Sequence, residues 1–194
     1  MDRWITLLVL LPALGAVAVF ASPNRASRVL AAGSAGGALG LATFLLLRFS
    51  AVLARGGMLE EPPLPWIDVL GARYAVGMDG LGLPLAWLVA AVLLGVAILG
   101  YRTHTRLHLG LTLLSGSALM GCFAARDAFL FYLCWEVMLV PMYFVVGMGE
   151  GAGRIRAATR FVVFTGTGSL LLLVALATVW HLHATQVEIG RAHV

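Results

Sequence analysis

Lysine is absent from this sequence, and charged residues of any kind are scarce. Only 11% of the 194 residues are charged, whereas soluble domains usually carry roughly 25%. All 13 strongly basic positions are arginines, and they are scattered over loops without forming a polybasic run. The scarcity of charge excludes an ordinary soluble domain, and the scattering gives no indication of nucleic-acid binding.

Cysteine-based cofactor sites are lacking as well. Cys122 and Cys134 both lie in apolar stretches, where thiols usually act as small hydrophobic side chains. The sequence has no cysteine cluster for an iron–sulfur centre, no haem attachment motif and no dinucleotide fingerprint. The glycine-rich run at 33–37 lies inside an apolar stretch with no following lysine, which argues against a phosphate loop. We therefore expect no cofactor and no metal in this chain.

Apolar residues are abundant instead. They make up 61% of the chain, and the mean hydropathy is +0.96. A helix that crosses a bilayer needs roughly 20 apolar residues, with a range of about 17–25. The runs that meet this length are 4–21, 29–49, 80–101, 106–125, 127–148 and 157–181. They predict an all-α polytopic membrane protein with six transmembrane helices.

The long connection at 50–79 is the exception to this apolar pattern. Pro62, Pro63 and Pro65 forbid a helix in its middle. Residues 72–77 alternate weakly between apolar and polar, which predicts a short extended segment at the membrane surface. Trp66 and Tyr74 are typical of the headgroup zone.

Arginine placement in the loops predicts the orientation. Seven arginines fall on one side of the predicted helices and five on the other, where Glu60, Glu61 and Asp68 offset them. Cytoplasmic loops carry the arginine excess, and short loops count most. The N-terminus is therefore expected outside. The first side holds Arg25, Arg28, Arg102, Arg106, Arg154, Arg156 and Arg160, and the second holds Arg3, Arg48, Arg55, Arg73 and Arg126.

Glu136 lies in the middle of the fifth apolar run. It follows Asp127 by nine residues, or about 13 Å of helix, which places it near the middle of the bilayer. A charge there costs about 2.5–3.5 kcal/mol on insertion scales and is usually retained for ion or proton traffic. Pro141 frees the carbonyl of Val137 beside it. We favour a proton-transfer role over a structural glutamate that is protonated and hydrogen-bonded to a neighbouring helix.

Other charged residues near the membrane edges have simpler interpretations. Asp127 and Asp79 precede predicted helices and are expected to be N-caps, and Arg126 is expected to be an interfacial anchor. Arg160 lies a few residues into the sixth run. It either snorkels to the surface, which we favour, or lines a polar path.

The histidines give little evidence for a metal site. His104 and His108 are four residues apart, but a pair without a third ligand is weak evidence for metal, and we interpret them as solvated loop residues. His181 and His183 flank the end of the sixth run and are expected at the interface.

Several segments resemble one known family. Residues 125–144, with their Trp-Glu-Val-Met-Leu-Val-Pro-Met-Tyr sequence, closely resemble the fifth helix of the antiporter-like, proton-pumping subunit M of bacterial NADH:quinone oxidoreductase (complex I). Residues 76–81 resemble the entry to its third helix, and 153–158 and 165–169 resemble its sixth. The resemblance is close over 76–180 and extends to 1–75 in layout only. The residues after the glutamate separate subunit M from the related L and N types.

The resemblance implies proton translocation driven by quinone reduction in other subunits, with no redox centre in this chain. Glu136 falls on the family's helix-five glutamate, which pairs with a lysine on a broken seventh helix. Arg160 falls where many members have lysine. Family members have about fourteen helices, including two inverted five-helix repeats. This chain would contain helices one to three and the start of the first repeat. It would lie in a bacterial inner membrane, beside neighbouring antiporter-like subunits.

The domain boundaries that we expect follow this comparison. Residues 1–75 would form two helices and an external loop, and 76–183 would form helices three to six of a partial proton-translocating region. Residues 184–194 are expected to be a non-native tail. The last six, 189–194, are what the codons ATC GGA AGA GCA CAC GTC encode, a string within a widely used sequencing adapter.

Two other functions remain open from the sequence. The homologous subunit of a multisubunit sodium/proton antiporter or of a membrane-bound hydrogenase shares the glutamate. A helical scaffold without a transport role is the alternative of a different class.

Overall fold

The chain folds into long helices joined by short connections and one strand-containing segment. A computed structural model describes the backbone of residues 3–67, 72–99, 105–149 and 151–192, and the side chains of these residues except 24, 25 and 183–192. Within these ranges there are six helices, each long and apolar enough to cross a membrane. The predicted all-α polytopic fold is therefore confirmed. The helices are α1 (Trp4–Ala21), α2 (Asn24–Ala54), α3 (Gly82–Leu99), α4 (Arg106–Ala124), α5 (Ala128–Gly147) and α6 (Arg154–Ala192).

Two helices run beyond the apolar segments that predicted them. Helix α2 begins five residues before the predicted residue 29 and ends five after residue 49, and α6 continues past residue 181 to Ala192. Apolar composition marks the part of a helix that suits lipid. The helical backbone hydrogen bonds can continue beyond the apolar part, because arginine and alanine are good helix formers in water as well.

The first four helices form a cluster, and the last two extend from it. Helix α1 packs against α2 and α4, and α3 contacts the same two helices. Helix α5 packs on α4, and α6 packs on α5. Small side chains bring the clustered helices together, since Ala35, Ala38 and Ala42 of α2 and Ala86 and Ala90 of α3 are fully buried. Small residues let helix backbones approach closely in lipid.

Two serines tie α1 to its neighbours. The Ser34 hydroxyl of α2 donates to the backbone carbonyl of Leu11 at 3.0 Å. The Ser117 hydroxyl of α4 donates to the carbonyl of Val9 at 2.6 Å. Helix α1 approaches α2 so closely beside Gly15 that a Cβ atom there would lie 2.0 Å from the Ser34 hydroxyl oxygen.

The connection between α2 and α3 contains two antiparallel strand pairs. Strand β1 (Leu59–Glu60) pairs with β4 (Gly77–Met78), and β2 (Leu64–Ile67) pairs with β3 (Ala72–Tyr74). We call residues 59–67 and 72–78 the strand segment. The predicted extended conformation at 72–77 is confirmed. The pairing of β2 with β3 shifts register between Pro65 and Ile67, since proline cannot donate to a ladder and is tolerated beside an irregularity.

The strand segment is docked on the turn between α4 and α5. Val76 forms an isolated antiparallel bridge with Ala125, and the backbone N–H of Arg126 donates to the carbonyl of Ala75 at 2.9 Å. The Arg126 guanidinium also forms an ion pair with Glu60. Arg126 therefore anchors the start of α5 to the strand segment, in addition to its predicted place at the membrane edge.

A second attachment joins the strand segment to the start of α1. The Glu61 side chain is buried, with 6% of the residue exposed. Its carboxylate accepts hydrogen bonds from the backbone N–H groups of Ile5 and Thr6 and from the Thr6 hydroxyl. The Thr6 hydroxyl also lies 3.0 Å from that of Tyr74. Arg3, at the N-cap position, makes no side-chain cap, so Glu61 supplies the cap from the strand segment.

Candidate functional site

The site is built on α5, whose start is fixed by Asp127. The Asp127 carboxylate accepts from the backbone N–H groups of Phe129 at 2.9 Å and Leu130 at 3.1 Å. It satisfies two of the N–H groups that a helix start leaves unpaired. The predicted N-cap is confirmed. The other carboxylate oxygen accepts from the N–H of Arg73 at 3.3 Å, which links the cap to the strand segment.

Glu136 lies near the middle of α5, as predicted. Eight residues of the helix precede it and eleven follow it within Ala128–Gly147. The side chain is half-buried and faces α6, because the hydroxyl of Ser169 donates to its Oε1. The Tyr132 side chain, one helical turn earlier, lies close enough to Ser169 and Glu136 to interact with both. The carboxylate is therefore held in the interface between α5 and α6.

Pro141 lies inside α5 without ending it. The residue is buried, and the helix continues to Gly147. Proline has no N–H, so the carbonyl of Val137 lacks its usual partner within the helix. That carbonyl belongs to the residue next to Glu136. The Val137 carbonyl oxygen is therefore available as a hydrogen-bond acceptor beside the Glu136 carboxylate, as the sequence indicates.

Arg160 does not join this group. It is exposed on α6, and Ser169 follows it by nine residues, or about 13 Å along the helix axis. The ion pairs of the described residues join Arg3 to Glu61 and Arg126 to Glu60. The position of Arg160 near the start of α6 suits a side chain that snorkels to the surface. Its role in a polar path stays a prediction.

A cavity of about 390 Å³ lies between α5 and α6 on the Asp127 side of Glu136. Its wall is mostly apolar, with the polar groups of Asp127 and Tyr132 among the lining residues. Tyr132 therefore contacts both the cavity and the Glu136–Ser169 pair. Leu173, Ala177 and Trp180 supply the α6 side of the wall.

The remaining predicted residues lie away from Glu136. Asp79 is the N-cap of α3, since its carboxylate accepts from the N–H groups of Gly82 at 2.6 Å and Leu81 at 3.0 Å. These two backbone hydrogen bonds hold the pKa of Asp79 below its ordinary value. The predicted cap is confirmed. Cys122 and Cys134 are free thiols, the first buried and the second half-buried.

The histidines are only partly described. His108 lies in the first turn of α4, where its backbone N–H donates to the Thr105 hydroxyl. The interpretation of His108 as a solvated loop residue is therefore wrong, because it is helical and half-buried. His104 lies outside the described residues, so the same interpretation stays a prediction for it. His181 is exposed, and the side chain of His183 is not among those that the structure describes. Within the described part of the chain, no group of three or more histidine, cysteine, aspartate or glutamate side chains could hold a metal ion.

Sequence reasoning missed two members of the site, Ser169 and Tyr132. Ser169 follows a run of alternating glycine and threonine that resembles ordinary small-residue packing. Tyr132 precedes Glu136 by four residues, a spacing that places both on one helical face. This spacing could have identified Tyr132 as a neighbour of Glu136 from the sequence.

Comparisons with known proteins extend these observations. Residues 125–190 match a family described as NADH:quinone oxidoreductase/Mrp antiporter, TM. This segment includes α5, with Glu136, and most of α6. The match therefore covers the helix pair that forms the site.

Two relatives are similar over most of this chain. NAD(P)H-quinone oxidoreductase chain 4 2 of Thermosynechococcus vestitus is 35% identical over 178 residues, which are 89% of this chain and 33% of the relative. F(420)H(2) dehydrogenase subunit M of Methanosarcina mazei is 33% identical over 179 residues, 88% of this chain and 35% of the relative. The chain thus spans about a third of the length of the curated relatives it matches.

The fold also resembles a chain in the solved structure of the membrane-bound sulfane sulfur reductase, an archaeal respiratory membrane complex. The TM-score is 0.76 at 16% sequence identity, and the match covers 94% of this chain and 28% of the other. At this identity the similarity concerns the fold alone. The matching family and the relatives support an ND4-like membrane subunit of the antiporter type.

Proposed function

We propose that this chain belongs to a membrane subunit of NADH:quinone oxidoreductase that translocates protons, with Glu136 as a proton-carrying group. Quinone reduction in other subunits would drive the translocation. The chain would lie in a bacterial inner membrane with its N-terminus outside, beside neighbouring antiporter-like subunits. The names of the relatives, a quinone oxidoreductase chain and a dehydrogenase subunit, support this context.

The position of Glu136 carries the proposal. The carboxylate lies near the middle of an apolar helix and is half-buried against a neighbouring helix. Ionisable groups at this depth are expensive and are typical of proton relays. The Ser169 hydroxyl gives the carboxylate a polar partner, and the Tyr132 side chain lies close by, so the carboxylate is held in the interface between α5 and α6.

A subunit of a multisubunit sodium/proton antiporter is the second candidate. The description of the matching family names Mrp antiporters beside NADH:quinone oxidoreductases, and Glu136 would serve proton exchange in either. A membrane-bound hydrogenase subunit has the same requirement for the glutamate. Neighbouring genes that encode dehydrogenase subunits would support the first candidate, and neighbouring antiporter subunits would support the second.

The substitution Glu136→Gln in the complete subunit, assembled in its complex, tests the transport role. Glutamine keeps the size and the hydrogen-bonding capacity of the side chain but cannot take up a proton. We expect most proton pumping in reconstituted vesicles to be lost. Glu60→Gln removes the same charge from an exposed glutamate outside the spans and should leave pumping unchanged.

Unchanged pumping in the Glu136→Gln complex would overturn the transport role and favour a helical scaffold. Assembly of both variants is checked by the amount of intact complex in the membrane. Quinone reductase activity, measured in the presence of an uncoupler, shows whether the redox subunits still work.

A further inference from the structure

The hydroxyl of Ser169 differs from those of three threonines of α6 in what it binds. Thr159, Thr167 and Thr178 each donate to a carbonyl four residues earlier in their own helix, at 2.7–2.9 Å. This back-bonding is the usual arrangement for such residues inside a helix. Ser169 instead donates across the interface to Glu136 Oε1.

Burial sets Ser169 apart as well. Only 3% of it is exposed, and Ala158 is the other buried residue among the described side chains of α6. A buried hydroxyl needs a partner, since leaving a polar group unpaired costs about 1–3 kcal/mol. Here the partner is the carboxylate, so the packing of α6 on α5 fixes the direction in which the carboxylate points.

Tyr132 extends this contact towards the cavity. Its side chain lies close to Ser169 and Glu136 and also lines the cavity that reaches Asp127. A volume of about 390 Å³ has room for several waters, each of which occupies about 30 Å³ in the liquid. A hydroxyl thus lies between a space that can hold water and the mid-membrane carboxylate.

We propose that Ser169 is a positioning residue for Glu136, and that Tyr132 is a proton-transfer residue that connects the carboxylate to water in the cavity on the Asp127 side. This inference rests on the proposed proton-translocating function and names the access route to the same site. Ser169 holds the carboxylate in the interface between α5 and α6. The Tyr132 hydroxyl then exchanges protons with it.

The proton step is balanced by water alone. Protonated Glu136 gives its proton to the Tyr132 oxygen, while the Tyr132 O–H proton passes to a water in the cavity on the outer, Asp127 side. One O–H bond forms and one breaks at the tyrosine, so its hydroxyl is regenerated. The net change is ionisation of Glu136 and conversion of water to hydronium, without an oxidant or a reductant.

Ser169→Ala and Ser169→Thr in the complete subunit, assembled in its complex, test the first residue. Ser169→Ala removes a hydrogen bond to the carboxylate, so we expect it to slow pumping by about tenfold or more. Ser169→Thr retains a hydroxyl and should restore most of the rate. Thr167→Val removes a back-bonded hydroxyl two residues away and should have little effect.

Tyr132→Phe tests the connection to the cavity. We expect slower pumping, because phenylalanine keeps the ring but removes the hydroxyl, whereas Tyr143→Phe on the same helix should leave the rate unchanged. Infrared difference spectra supply a readout that packing alone would not move. The protonated Glu136 carbonyl stretch, identified by its loss in Glu136→Gln, should shift to higher wavenumber in Ser169→Ala.

The outcomes separate this inference from the proposed function. If Glu136→Gln abolishes pumping but Ser169→Ala and Tyr132→Phe pump at the normal rate with an unshifted band, the positioning inference is overturned and the proposed function stands. If Glu136→Gln itself pumps normally, the proposed function fails. Equal losses in Ser169→Ala and Ser169→Thr would indicate a packing defect and would also overturn the inference.

Discussion

Glu61 caps a helix that begins more than fifty residues before it, because its Oε1 accepts the backbone N–H of Ile5 at 2.6 Å. The same oxygen accepts from Thr6 at 3.0 Å. A carboxylate suits this place, since the first turn of a helix has unpaired N–H groups and the positive end of its dipole. The contact therefore joins the strand segment to the first transmembrane helix.

Removing this cap should destabilise the protein. Glu61→Ala leaves the N–H groups of Ile5 and Thr6 without their partner in a buried setting, and we expect a loss of about 1–3 kcal/mol. Thermal denaturation of the detergent-solubilised complex measures the change as a lower midpoint. Glu60→Ala breaks an exposed ion pair and should cost less than about 1 kcal/mol. Equal midpoints for the two variants would contradict the role of Glu61.

The cap of α3 should give a measurable pH dependence. The pKa of Asp79 is lowered by backbone hydrogen bonds from Gly82 and Leu81, so its ionised form is favoured in the folded protein. The resulting stabilisation is complete above the unfolded pKa of about 3.9 and is lost as the pH falls through the folded value. Asp79→Asn can still cap the helix but cannot titrate.

The measurement is the denaturation midpoint of both proteins between pH 3 and 7. We expect the denaturation midpoint of the native protein to exceed that of Asp79→Asn by a constant amount near neutral pH and by less in the acidic range. A difference between the two midpoints that stays constant down to the lowest pH would contradict the depressed pKa of Asp79.

Close helix contact at Gly15 should make this position intolerant of alanine. A Cβ atom there would lie 2.0 Å from the Ser34 hydroxyl oxygen and 2.3 Å from the Ser34 Cβ. Overpacking of this kind typically costs about 1–3 kcal/mol. Gly40→Ala is the matched control, because a Cβ at Gly40 meets nothing within 4 Å and alanine favours helix. A midpoint that is unchanged in Gly15→Ala would show that α1 and α2 can separate freely.

Local patterns predicted the helices and their caps. Apolar length gave the spans, and Asp79 and Asp127 precede theirs by one turn or less, so a nearby backbone N–H was the obvious partner. The extended conformation near Tyr74 followed from alternation and from the prolines before it. Each of these features depends on neighbours in the sequence, which a pattern can detect.

Pairings between distant segments could not be predicted in the same way. Glu61 looks like a loop carboxylate, and its burial depends on α1 approaching from 55 residues away. Ser169 looks like any small residue of an apolar helix, and its choice of Glu136 over its own backbone depends on how α6 packs. The depth of Glu136 was predictable from the apolar run, whereas its partners were set by tertiary contact.

The serine contacts to α1 have a consequence for which residues of this helix can vary. Ser34 and Ser117 bind the carbonyls of Leu11 and Val9, and every residue type supplies a carbonyl. The side chains at positions 9 and 11 can therefore change without removing either hydrogen bond, while the two serines cannot. The position of α1 along its own axis is thus encoded largely in α2 and α4.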